Sequence, residues 1–300
     1  MRKIAPFAVF LVLALLAATP SYAAVSGKIG RKGVTVEVVD AVLYEGKDFF
    51  GDDPALILRL SAAKFDHAAI DEAIDLEGEI DRQVEGPPNV TLEFRMDGSW
   101  SGGGGYFVPN ATCGWCMDGA LSEMAKTKFE KDLLTGTIKV VSATLKDGDG
   151  PDIDLTLSVP IYRVKGLTEL PKGGGEPGRA YLACTAAVTE QVKPDKAALI
   201  AACFAKDDRW VANLNLDNSG MFPDLVSSVR YEIGRGSMLE EVKILSGRVK
   251  GKRAELEVEG KIFDRSSEPP SVERHRGKVF LALTGDGWRL RGDRLEQVFD

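Results

Sequence analysis

The chain has 300 residues, a formal net charge of −7, and 44% apolar and 28% charged residues. This is the composition of a globular protein with room for about two domains. Its acidic balance argues against a nucleic-acid partner, whose phosphates require a basic face.

The first segment reads as an export signal. Arg2 and Lys3 precede the apolar run from Ile4 to Ala18, and Ser21-Tyr22-Ala23 puts small residues at both recognition positions of a cleavage site. The run is too short for a membrane span of roughly 20 residues, and no second apolar stretch approaches that length. No cysteine follows the signal to take a lipid anchor. Cleavage leaves 277 residues (300 − 23) beginning at Ala24 and a net charge of −9 (−7 − 2). A periplasmic or secreted protein is expected, with no membrane insertion after cleavage.

Residues 24–165 carry a β pattern. Val34, Val36 and Val38 alternate with polar residues, as do Val90, Leu92, Phe94 and Met96. Ala55–Leu60 is largely apolar on both faces, as in a central strand. The runs Thr137–Leu145 and Ile153–Arg163 flank the turn-forming cluster 146–152 and read as a hairpin. Helices are expected over His67–Glu77, with Asp66 as N-cap and Gly78 at the stop, and over Ala120–Lys131. The reading is a β-rich, sandwich-like domain.

Residues 166–178 are dominated by Gly and Pro and read as a linker. Beyond them, 179–300 begins with alanine-rich helices over Arg179–Glu190 and Asp195–Lys206, and a third over Leu225–Ile233. Strands follow at Val242–Val249, Ala254–Glu259, Lys278–Leu283 and Trp288–Arg291. Glu255, Glu257 and Glu259 alternate with apolar residues, so one sheet face is wet and the other packed. The fold class is therefore α+β: a β-rich sandwich-like domain followed by helices on an antiparallel sheet, cystatin- or cone-like.

The motifs Gly178-Arg179-Ala180-Tyr181-Leu182-Ala183, Gly251-Lys252-Arg253-Ala254-Glu255-Leu256-Glu257-Val258 and Leu283-Thr284-Gly285-Asp286-Gly287-Trp288-Arg289-Leu290 give the second half a resemblance. It looks like the nuclear transport factor two-like superfamily, with its cone-shaped α+β fold. The β-rich half is similar to N-terminal regions of secreted bacterial proteins that pair with such a domain. The resemblance implies the fold; the superfamily includes enzymes with Asp and His in their pockets and many members that only bind. The helices and strands read in this half contain no histidine.

Cys113-Gly114-Trp115-Cys116 is the sharpest chemical motif. At a helix N-terminus the first thiolate is stabilised by backbone N–H groups and the helix dipole, as in the thioredoxin-like proteins this short segment resembles. Val159-Pro160 imitates the proline that faces the active pair in that family. Against this stand the glycine-rich approach, Gly102–Gly105, and the lack of a preceding βαβ unit. A disulfide stapling the loop is the first reading, redox chemistry by Cys113 and Cys116 the alternative, and metal binding with Met117 a remote third. Cys184 and Cys203 fall near one level if their helices pair, so an oxidising compartment links them; two free core cysteines are the alternative.

Both histidines of the chain, His67 and His275, lack a catalytic setting: the first opens a helix and the second lies in a polar stretch, 266–277, read as a solvated loop. Asp147, Asp149, Asp152 and Asp154 resemble a calcium loop, but Pro151 and Asp152 occupy positions that break the pattern. No cofactor or metal is implied. The role expected is non-catalytic binding of a small apolar ligand or an envelope protein. Leu256, Val258, Leu281 and Trp288, on the inward face of the second sheet, are the candidate contacts, and core packing is the alternative for each.

Overall fold

The computed structural model describes residues 23–31, 34–48, 53–84, 89–106, 116–117, 125–141, 152–189, 203–205, 239–264 and 271–299. The described chain is mostly β, in open sheets with few helices. It divides into two compact units. One gathers the described residues within Met1–Lys64 and Gly86–Tyr162, the other those within Phe65–Glu85 and Arg163–Asp300.

The first unit is a ten-stranded sheet built from β1 (Ala24–Arg31), β2 (Val34–Glu37), β3 (Asp40–Lys47), β4 (Pro54–Ser61), β5 (Asn89–Phe94), β6 (Trp100–Tyr106), β7 (Cys116–Met117), β8 (Ala125–Glu130), β9 (Leu133–Val140) and β10 (Asp152–Tyr162). β10 joins its two halves. It runs antiparallel to β1 and β9, then pairs in parallel with β3 at Ile161 and Tyr162. Its period of two is plain: Ile153, Leu155, Leu157 and Val159 are buried while Asp152, Asp154 and Thr156 are exposed. Both halves feed one apolar cluster, with Ile29, Leu134, Ile138 and Leu155 from one and Leu43, Leu56, Leu58, Leu92 and Phe94 from the other. β4 lies between β3 and β5 and is buried on both faces, as its composition predicts. β9 and β10 pair as the expected hairpin; residues 142–151, with Asp147 and Asp149, lie outside the described residues.

The helix expected over Ala120–Lys131 is a strand where it is described. Residues 125–130 alternate half-buried and exposed and pair with β9. Phe129 and Thr127 suit a pleated surface, and the cross-strand partner overrides a weak helical spacing. The β8–β9 turn places Lys131 and Asp132 at φ 52° and 62°, the left-handed pair of a type I′ hairpin, where Asn-Gly is favoured. Replacing Lys131-Asp132 by Asn-Gly is expected to stabilise the first unit by about 1 kcal/mol, since a left-handed L-residue costs about 1–2 kcal/mol. A raised urea midpoint checks this; an unchanged one contradicts it.

The second unit holds α1 (His67–Glu72), α2 (Leu76–Val84), β11 (Thr168–Glu169), α3 (Gly175–Thr189), β12 (Glu240–Lys250), β13 (Arg253–Asp264), β14 (Ser271–Thr284) and β15 (Gly287–Gln297). β11 to β15 form a five-stranded antiparallel sheet in sequence order. The packed face carries Ala254, Leu256, Val258, Val279, Leu281 and Leu290 against Tyr181 and Cys184 of α3. On the other face Glu255 pairs with Arg248 and Lys278, Glu257 with Arg276, and Glu259 with Arg274. Cross-strand pairs of this kind contribute roughly 0.2–1 kcal/mol each.

Three details depart from the sequence reading. The helix over His67–Glu77 is two helices. Asp66 caps the first, accepting from Ala69 N at 3.1 Å, as expected. Ala73 is then extended, and Asp75 Oδ1 accepts from Gly78 N at 3.0 Å, so Gly78 sits in the first turn of α2 instead of ending α1. A Cβ on Gly78 would lie 2.1 Å from Asp75 Oδ2, so a larger residue there would displace the capping carboxylate.

The stretch 166–178 is likewise built structure. Leu170 N donates to Gly247 O at 2.8 Å, and Gly173, Gly174 and Gly175 at positive φ turn the chain into α3. Pro177 sits in that helix's first turn, where its missing N–H costs nothing. Lastly, His275 is a residue of β14, paired with Gly260 and Gln297, and not a loop residue. Residues 195–202 and 225–233 of the expected helices lie outside the described residues.

Candidate functional site

Cys113 lies outside the described residues; Cys116 is in β7, a two-residue strand whose partner is Gly104 of β6. The backbone at Cys116 is extended, and 125–130, expected to continue a helix from the motif, is β8. The helix whose dipole would favour a thiolate is therefore missing where the chain is described. Pro160 is in β10, and β3, β4, β5 and β6 lie between β10 and β7 in the sheet. Pro160 and Cys116 are thus not brought together.

Cys184 of α3 and Cys203 form a disulfide-compatible pair with Cα atoms 5.1 Å apart. The chain continues from Cys203 as a parallel bridge between Phe204 and Leu290, and Ala205 N donates to Leu290 O at 3.1 Å. Phe204 is thereby held against β15. Beside it, burial pushes the Tyr181 phenol well above its ordinary range. The charge of Asp293 adds to that, and a backbone hydrogen bond with Leu239 opposes it.

Of the four candidate ligand contacts, Leu256, Val258 and Leu281 are at most 1% exposed and pack together with Tyr181 and Leu290. Trp288 is half-buried at the margin of this cluster, opposite Leu283. The inward face of the sheet is thus filled by α3 and by Phe204.

The open space lies at one end of the sheet. A half-open cleft of about 790 Å³ is lined by Asp71 and Glu72 of α1, by Phe204, by Lys250-Gly251-Lys252-Arg253 at the β12–β13 turn, and by Ala282–Asp286 and Arg289 around the β14–β15 turn. Antiparallel order explains the meeting of the turns: alternate hairpin turns of a meander emerge at the same end. Thr284 Oγ1 donates to Gly287 O at 2.9 Å and accepts from Asp286 N at 3.2 Å, fixing the second turn. Of the apolar lining, Ala282 and Phe204 are buried, whereas Leu283 is 39% exposed.

Ion pairs and a lysine bring α1 and α2 to the sheet. Arg294 reaches Asp75 at 2.6 Å and also pairs with Glu77, while its guanidinium lies 5.7 Å over the Phe280 ring. Arg291 lies 3.9 Å from Glu79. Burial raises the Glu79 pKa, but the hydrogen bond and charge of Arg82, with Gln83 and Arg291, outweigh it and hold the carboxyl below its usual value. Lys250 Nζ donates to the carbonyl oxygens of Asp71 and Ala73 at the C-terminal end of α1, where the helix presents its negative end.

Lys250, Lys252, Arg253, Leu283, Arg289 and Phe204 were not read as site residues from the sequence, although Lys252, Arg253, Leu283 and Arg289 fall within the motifs quoted for the resemblance. The signal for the first five was the spacing of the two hairpin turns; nothing local marks Phe204, which the cysteine pairing delivers. Among the described residues no three His, Cys, Asp or Glu side chains gather to hold a metal ion. Comparison with protein-family models, curated proteins and solved structures finds no match.

Proposed function

We propose that this chain is an exported, non-catalytic binding protein that takes a small molecule with an apolar body into the cleft at the paired hairpin turns. The cleft carries this reading. Its volume of about 790 Å³ falls within the roughly 300–1,000 Å³ of small-molecule pockets. Its lining is mostly charged and polar, with Phe204, Ala282 and Leu283 as the apolar part. The exposed Leu283 in its wall is a large apolar side chain left uncovered at a concave place.

Export is supported by the signal-like first 23 residues, by β1 opening at Ala24, and by the pairing of Cys184 with Cys203, which suits an oxidising compartment. The second unit is read as the cone-shaped domain of the nuclear transport factor two-like superfamily. The support is one long helix, α3, packed on an antiparallel meander.

The test is a fluorescence titration of the mature protein with N-phenyl-1-naphthylamine, a neutral apolar probe. One saturable site per chain is expected, and Leu283→Asp should weaken it at least tenfold with an unchanged thermal midpoint, because Leu283 is partly exposed. Equal affinity in the variant rejects the cleft as the site. The mass of the purified protein checks export, with Ala24 expected at the N-terminus.

A further inference from the structure

We infer that the ligand of this cleft is an amphiphile with an anionic group, held by the hairpin side of the rim; the inference rests on the cleft being the binding site. The two hairpins contribute Lys250, Lys252, Arg253 and Arg289 to the lining against one acid, Asp286. Asp71 and Glu72 lie on the α1 wall. This cationic concentration sits in a chain whose net charge is −7, so it is a local feature opposed to the overall balance.

The cations do not have the same duties. Lys250 is engaged by the carbonyl oxygens of Asp71 and Ala73, and Arg289 donates to Trp288 O at 2.9 Å. The ammonium of Lys252 has no hydrogen-bond or ion-pair partner among the described residues. A Cβ placed on either Gly251 or Gly285 would meet nothing within 4 Å, so the space over both turns is open to a headgroup. Beside it the apolar lining is Phe204, Ala282 and the exposed Leu283. A carboxylate, sulfonate or phosphate at the Lys252 turn, with an aryl or short alkyl body on that apolar lining, satisfies both parts. A half-open cleft screens such a contact less than an exposed surface does, yet leaves it sensitive to salt.

The experiment compares two probes with the same aromatic body on the full mature protein. 1-Anilinonaphthalene-8-sulfonate carries the anion and N-phenyl-1-naphthylamine lacks it. At low salt the sulfonate is expected to bind about tenfold more tightly, with the advantage falling as salt is added. Lys252→Glu should weaken the sulfonate at least tenfold and the neutral probe less than twofold. Near-ultraviolet circular dichroism confirms that each variant is folded, since the sulfonate also binds loosened states.

Phosphatidylglycerol vesicles that displace the sulfonate support the anionic class with a lipid headgroup as its source. Binding without displacement supports a free amphiphile. Equal affinity for the two probes, both lost in Leu283→Asp, overturns the anionic class and leaves the cleft in place. Sulfonate affinity unmoved by Lys252→Glu also overturns the inference. Neither probe responding to Leu283→Asp overturns the cleft itself.

Discussion

The double variant Cys184→Ser/Cys203→Ser loses about 3 kcal/mol of stability in the second unit. The two cysteines are 19 residues apart, and closing a loop of that length removes about this much free energy from the unfolded chain in the chain-entropy description. The loss falls on the second unit because the pair ties α3 to the segment Cys203–Ala205, which bridges β15 at Leu290. Hydrogen exchange of the β13 and β14 amides reads it directly, and a loss of 3 kcal/mol speeds exchange by opening roughly a hundredfold. The amides of β4 and β5, in the first unit, should be unaffected. Unchanged exchange in β13 and β14 contradicts a structural disulfide here. The variant is also expected to bind the neutral probe more weakly, since Phe204, part of the cleft lining, is held in place through Cys203.

What was legible in the sequence follows from how local each determinant is. The alternation of Ile153, Leu155, Leu157 and Val159 needs only neighbours two residues away, and β10 appears where it predicts a strand. The alternation of Glu255, Glu257 and Glu259 was equally plain, but the row is not the wet one expected: Glu255 is buried, and Glu257 and Glu259 are half-buried, among Arg248, Arg274, Arg276 and Lys278 of β12 and β14. Asp66 acts as the N-cap it was read to be. Failures arose where one residue type serves two opposite ends. Gly78 looked like a stop but admits the Asp75 cap at a start. Gly173–Gly175 and Pro177 looked like a linker but form the turn and first turn of α3.

The cleft lay further out of reach because its lining is assembled from chain positions 71–72, 204, 250–253 and 282–289. Two of these sets are hairpin turns, and antiparallel order alone puts them together. The others depend on pairings no local pattern announces: a disulfide that carries Phe204 to β15, and Arg294 and Lys250 drawing α1 and α2 to the sheet. Residues 65–85 sit in sequence between two neighbouring strands of the first sheet, β4 and β5, yet belong to the second unit. Hydrophobic periodicity marks Ile70 and Ile74 as buried without saying which unit they join.

Leu256→Ala separates two candidate ligand sites, the inward face of the sheet and the hairpin cleft. Leu256 has no measurable exposure, and its Cδ2 lies 2.7 Å from where a Cβ on Gly174 would stand and 2.9 Å from one on Gly247. Those glycines let two backbone segments close over the leucine, and truncation leaves a void that rigid neighbours do not fill. A buried Leu→Ala change of this kind costs about 2–5 kcal/mol, the upper values applying where the site does not collapse. The expected result is a large drop in the urea midpoint of the second unit with the neutral probe's affinity for the folded protein unchanged. Leu283→Asp is expected to do the reverse, sparing stability and removing binding, because Leu283 meets solvent in the cleft. If Leu256→Ala instead weakens the probe and spares stability, the ligand enters the concave face of the sheet, and the hairpin cleft is not the site. The opposed responses of two leucines, one on β13 and one on β14, thus decide between a filled core and an occupied pocket.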